Sequence, residues 1–184
     1  EDHGLRSKRQ VSNREFAHRL TSDSARACTA ADGSTEIRPI YYDLRFGNLC
    51  NWKCVMCHPA SSSKWYEDYA AIEGQRHFHD GGERVTLDAA REFYNWHENE
   101  SFWQDLESKV PDIENIYLVG GEPLLIERHY DFLDLCRSKG RAGAITLEYD
   151  TNLTYLSDRV LSLWPHFKKV SLRVSLEEYS EENE

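Results

Sequence analysis

Hydrophobic and polar positions change period several times along the chain, and each change marks an element. Residues 12–30 are polar and helix-compatible, with Phe16 and Leu20 four apart, which predicts a weakly amphipathic helix near the N-terminus. The stretch AADGSTEIRP then reads as a loop. Residues 40–46, IYYDLRF, alternate and are rich in β-formers, predicting a strand that runs straight into a cysteine-rich segment. Helical patterns at 61–72 and 87–110 flank the turn-like HDGGER. IENIYLV at 113–119 predicts a second strand, ending in GGEP. A helix follows with Leu125, His129, Phe132, Leu133 and Cys136 on one face and Lys139-Gly140 as its stop. AITLEYD at 144–150 predicts a third strand, and Ser157 caps a helix carrying Val160, Leu161 and Trp164 on one side. KKVSLRVSLE at 168–177 alternates as a fourth strand. Strand and helix thus follow one another as in a parallel α/β architecture with right-handed crossovers.

Composition narrows the function classes. The 184 residues suit about one domain with a core that needs no disulfide staples. The apolar runs fall well short of the roughly 20 residues a bilayer requires, so no membrane association is expected. EDHGLRSKRQ lacks the apolar stretch of a signal peptide, and the five cysteines are odd in number, with three clustered. Both features lead us to expect a cytoplasmic protein with a metal site. A formal net charge of -10 argues against nonspecific nucleic-acid binding, which depends on Lys and Arg neutralising phosphates. Glu1 stands where an initiator Met would, and the chain stops in the acidic EEYSEENE directly after an alternating segment, so a fragment is expected. The acidic tail itself reads as solvated chain.

The chemistry concentrates in two motifs. Cys50, Cys54 and Cys57 are spaced C-x3-C-x2-C on a loop after the first strand. Such a loop can wrap a cubane iron-sulfur cluster, which normally takes four thiolates; three leave one iron open to an outside ligand. The alternative is a closed zinc site, with His58 or Cys28 as the fourth ligand, in a noncatalytic interaction domain. Gly120-Gly121-Glu122-Pro123 stands where the second strand ends, at the edge where parallel sheets bind ligands. Its glycines permit close backbone approach, and Glu122 offers an acceptor suited to a ligand's ammonium group. A plain loop with Pro opening a helix is the simpler reading of the same residues.

In this order and on successive strand ends, the two motifs resemble those of the radical S-adenosylmethionine (SAM) superfamily. YYDLRFGNLCNWKCVMC, GGEPLL, YDTNLT and VSLRVSLE further resemble the strand ends of its branch with SPASM or Twitch auxiliary domains. The resemblance implies a partial (β/α)6 barrel of about four βα units over residues 39–184, truncated at its C-terminus, with residues 1–38 as a helical and loop extension. It implies a 4Fe-4S cluster on Cys50, Cys54 and Cys57, with SAM chelating the fourth iron. Met56 would lie near the adenine, and Gly120, Gly121 and Glu122 would hold the methionine ammonium. Asn152 would be a polar contact, and Arg173, Ser175 and Glu177, sharing one strand face, would approach the ribose and methionyl end. The implied activity is reductive cleavage of SAM to a 5'-deoxyadenosyl radical that abstracts hydrogen from a substrate, a ribosomally made peptide on the strength of the branch. An external one-electron donor such as a flavodoxin or ferredoxin would be the partner. A small nucleoside- or pterin-type radical SAM enzyme is the alternative within the same chemistry.

The remaining features have ordinary readings. His77-Phe78-His79-Asp80 is expected in an exposed polar turn, His129 as a packed core histidine and Cys28 as a free thiol. Trp65, Tyr66, Tyr69, Phe93, Tyr94, Trp96 and Trp103 recur at near-helical spacing, which predicts core, with some at a substrate mouth.

Overall fold

The computed structural model describes residues 7–19, 21–72, 77–80 and 83–176. The chain divides into two compact units, Glu1–Pro39 and Ile40–Glu184. The first holds two short helices, α1 (Lys8–Glu15) and α2 (Ser22–Ala27), where the sequence pattern predicts one. Each opens on a reciprocal capping box: Ser7 with Gln10, and Thr21 with Ser24. Thr21 thereby starts a new helix where the pattern continues the old one.

The second unit is built on a four-stranded sheet in the order β1 (Tyr41–Arg45), β4 (Asn115–Val119), β5 (Thr146–Thr151), β6 (Lys169–Val174), with every pairing parallel. Between β1 and β4 run α3 (Tyr66–Ala71), an antiparallel hairpin of β2 (His77–Asp80) and β3 (Glu83–Thr86), α4 (Leu87–Tyr94) and α5 (Glu100–Lys109). The hairpin replaces the expected polar turn. The helix expected over 87–110 is broken, because Asn95 ends α4 and the Asn99 side chain accepts from the Ser101 N–H to start α5. α6 (Glu127–Ser138) joins β4 to β5 and α7 (Asp158–Leu163) joins β5 to β6. Gly140, at φ 67°, terminates α6, and the Ser157 hydroxyl accepts from the Val160 N–H to begin α7, both as the sequence predicts.

Period-two burial separates the two sheet faces. Leu44, Ile116, Leu118, Leu147 and Tyr149 point into one core with Trp103, Leu106, Tyr130, Leu133, Val160 and Leu163 of the helices. Leu163, not Leu161, joins Val160 on the inward side of α7, since Leu161 stays exposed. The opposite face carries Asp43, Arg45, Tyr117, Glu148, Asp150 and Arg173, a polar lining rather than a second core. The sheet with its crossover helices is a partial parallel α/β barrel, and its C-terminal strand ends hold the motif loops.

His129 is fully buried. Its Nδ1 donates to the Ile126 carbonyl at 2.6 Å, which leaves Nε2 to accept from the Tyr149 hydroxyl at 3.3 Å. Burial pushes its pKa down from 6.5 to about 3, so it packs as a neutral ring. Among the described residues, no helix is long and apolar enough to cross a membrane.

Candidate functional site

Three loops after β1, β4 and β5 meet over the strand ends and enclose a cleft of 780 Å³. The β1 loop is anchored before it reaches the cysteines. Phe46, fully buried, stacks on Trp96 and Trp103, with both ring centroids at 5.8 Å. Gly47 follows at φ 61°, where a Cβ would lie 2.0 Å from the Tyr94 carbonyl oxygen, so only glycine fits. Asn48 is buried, and its amide donates to the Pro59 carbonyl at 2.6 Å and to the Tyr66 hydroxyl at 2.5 Å. One side chain therefore ties the start of the cysteine loop to its end. Ser62 supports the middle, donating to the Trp52 carbonyl at 2.6 Å. Sequence reasoning missed both braces; their signal is only a buried-type Asn and a serine run bracketing the thiols.

Cys50, Cys54 and Cys57 all line the cleft. Cys50 is buried, and Cys54 and Cys57 are partly exposed. Among the described residues, no three His, Cys, Asp or Glu side chains are gathered closely enough to hold one metal ion. Met56 also borders the cleft but is 96% exposed, and Phe93, 69% exposed, Tyr94 and Trp96 form an aromatic wall opposite.

Gly120 and Gly121 form the floor, at φ 94° and 51°. A Cβ on Gly121 would sit 2.2 Å from the Leu49 carbonyl oxygen and one on Gly120 2.9 Å from that of Gly47, so the GG pair is what lets the β4 loop nest against the β1 loop. Glu122 has no exposed surface and is not part of the cleft wall. Its Oε1 accepts from the Leu124 N–H at 3.0 Å and the Thr151 hydroxyl at 2.7 Å, and its Oε2 accepts from the Asn152 N–H at 2.7 Å. Its own N–H donates to the Leu49 carbonyl at 2.8 Å. One residue thus fastens all three loops together.

Of the other sequence candidates, Asn152 and Ser175 line the cleft. Arg173 does not; it pairs with Asp150 and with Glu148 at 3.2 Å, and its guanidinium lies 4.8 Å from the Tyr117 ring centroid. The hydrogen bond to Asp150, then that to Tyr117, raises the Arg173 pKa further. Tyr117 donates to the same Asp150, and burial foremost lifts its pKa above the usual phenol value. Glu177 lies outside the described residues.

A family profile described as the Radical SAM superfamily matches residues 44–184. The chain belongs to this superfamily. The match starts inside β1 and takes in the cysteine loop, the GGEP segment and every later strand of the parallel sheet. Radical SAM proteins are generally associated with a 4Fe-4S cluster and SAM. The residues present suit these groups: three thiols share one cleft, and the Gly120-Gly121 backbone, carrying no side chain, lines the same cleft. No curated protein and no solved structure matches the chain significantly.

Proposed function

We propose that this chain is the cluster- and SAM-binding part of a radical SAM enzyme. The observation that carries the reading is the convergence of Cys50, Cys54, Cys57 and the Gly120-Gly121 backbone on one cleft at adjacent parallel strand ends. Cys50, Cys54 and Cys57 would hold the three ligated irons of a 4Fe-4S cluster, leaving the fourth to face the cleft. Separate thiols around a cleft suit a cubane, in which each binds a different iron, better than the closed tetrahedron of zinc. The Gly120-Gly121 backbone would receive the methionine ammonium, with Glu122 setting the position of that backbone. Ser175 and Met56, which both line the cleft, would approach the methionyl end and the adenine respectively. Arg173, committed to Asp150 and Glu148, would hold Asp150 at the cleft rather than touch SAM.

When bound, these groups supply one-electron reductive cleavage of the sulfonium bond and hydrogen abstraction from a substrate. The chain's own residues would orient the bound groups and the substrate, and Phe93, Tyr94 and Trp96, which line the cleft, would limit water there. A ribosomally made peptide as substrate, a place in the SPASM or Twitch branch and an external flavodoxin- or ferredoxin-type donor extend the proposal, and they rest on the sequence resemblance alone.

Anaerobic reconstitution with iron and sulfide, followed by metal quantitation and electron paramagnetic resonance with and without SAM, tests the core of it. A cubane signal that changes on adding SAM is expected. Bound zinc with no such signal would refute it.

A further inference from the structure

We propose that Asn152 is a positioning residue that donates its side-chain amide to the Cys50 thiolate and raises the reduction potential of the cluster. The inference rests on the cluster reading above and gives Asn152 a role other than contact with SAM. Its Nδ2 lies 3.9 Å from Cys50 Sγ, within reach of an N–H···S hydrogen bond. A second donor, the Trp52 backbone N–H, approaches the same sulfur at 3.5 Å.

The orientation of the amide is fixed by its neighbours. The Thr154 N–H can only donate, and it meets Asn152 Oδ1 at 3.0 Å, so that atom is the oxygen and Nδ2 faces the sulfur. A closed ring then follows. Asn152 Nδ2 donates to Asn51 Oδ1 at 3.0 Å, Asn51 Nδ2 donates to Thr154 Oγ1 at 2.7 Å, and Thr154 Oγ1 donates to Asn152 Oδ1 at 2.7 Å. One amide hydrogen of Asn152 is used in the ring, and the other remains for Cys50. The backbone is held as firmly: the Asn152 N–H is bound to Glu122, and Leu153 is at φ 54°, the positive φ that turns Thr154 back toward Asn152.

Reduction adds negative charge to a cluster and its thiolates, so an N–H donor stabilises the reduced form more than the oxidised one. Removing the donor must therefore shift the midpoint to more negative potential. The test is a redox titration followed by electron paramagnetic resonance on the reconstituted protein without SAM, comparing wild type with Asn152→Ala and Asn152→Asp. Loss of one hydrogen bond predicts a reduced-to-oxidised ratio at fixed potential lower by about two- to tenfold in Asn152→Ala. Asn152→Asp, which keeps the Thr154 acceptor but puts a carboxylate oxygen beside the sulfur, is expected to shift further. Thr154→Val, which loosens the ring and leaves the amide, is expected to shift less in the same direction. Wild-type midpoints in both Asn152 variants with full iron content would overturn the proposal, and so would weakened SAM binding with no change in midpoint. Loss of the cluster from both while Thr154→Val keeps a wild-type midpoint would equally overturn it, leaving Asn152 a structural role alone. Failure of the wild type to hold a cluster instead removes the underlying functional reading, and it is seen before any variant is made.

Discussion

Replacing Glu122 by Gln changes one atom in a buried node and tests whether that node holds the motif loops together. The carboxylate has no exposed surface and accepts from three protein donors: the N–H groups of Leu124 and Asn152 and the hydroxyl of Thr151. Gln offers a single acceptor atom. With its oxygen toward Leu124 and Thr151, its NH2 group faces the Asn152 N–H across 2.7 Å, donor against donor. Flipped, its oxygen accepts from the Asn152 N–H but its NH2 group meets the Leu124 N–H at 3.0 Å, again donor against donor. Either way one buried backbone donor goes unmatched, at a cost of about 1–3 kcal/mol, and the surviving bonds lose their charge assistance, about 1 kcal/mol more. We expect Glu122→Gln to destabilise the chain by about 2–4 kcal/mol, read as a lower urea midpoint at unchanged m. Thr151→Val leaves the carboxylate but removes two ordinary hydrogen bonds, the donation to Glu122 and the acceptance from the Leu153 N–H at 2.9 Å, and is expected to lose about 1–3 kcal/mol. A Glu122→Gln variant within about 0.5 kcal/mol of wild type, the scatter of ordinary surface changes, would refute the claim that this carboxylate is a structural tie.

Three further outcomes follow from the geometry. Gly121→Ala forces a Cβ to within 2.2 Å of the Leu49 carbonyl oxygen at φ 51°, so the β1 and β4 loops must separate; lower SAM affinity with the cluster retained is expected by paramagnetic resonance, and wild-type affinity would count against a role for the nested loops in binding. Cys54→Ala is expected to abolish the cluster, and a normal cluster spectrum in that variant would remove Cys54 from the ligand set. The folded pKa of His129 lies near 3 against an unfolded 6.5, so its contribution is fully present above pH 6.5 and is lost as pH falls toward 3. At pH 5 that loss amounts to about 2 kcal/mol, and His129→Gln should flatten the stability profile between pH 7 and 5; an equally steep slope in the variant would contradict the assignment.

The sequence exposed the parts of this structure that are governed by local pattern. The alternation in 113–119 and 144–150 is the period-two burial of β4 and β5, and Ser157 and Gly140 mark helix ends through bonds to residues three away. That Cys50, Cys54, Cys57 and the GG pair share one cleft was legible because both motifs follow neighbouring strands directly. What stayed hidden depends on partners far along the chain. Glu122 reads as a free acceptor at a rim until Thr151 and Asn152, 29 and 30 residues on, are brought beside it by strand register. Arg173 reads as a ligand contact until register sets it against Asp150. The break at Asn95 to Asn99 escaped because the flanking residues all tolerate a helix, and two asparagines decide the matter by capping. The hairpin of β2 and β3 has too few residues for alternation to speak.

The clasp made by Asn48 bears on the order in which the mature protein is assembled. Where a metal gathers its own ligands, the polypeptide folds as the metal arrives, and the two events are thermodynamically one. Here the ends of the cysteine loop are already joined through the Asn48 amide to Pro59 and Tyr66, so the entropy of closing that loop is met by protein contacts. Cluster delivery then becomes a late step performed on a finished scaffold, and a chain stripped of iron by oxygen should be rechargeable without passing through unfolding.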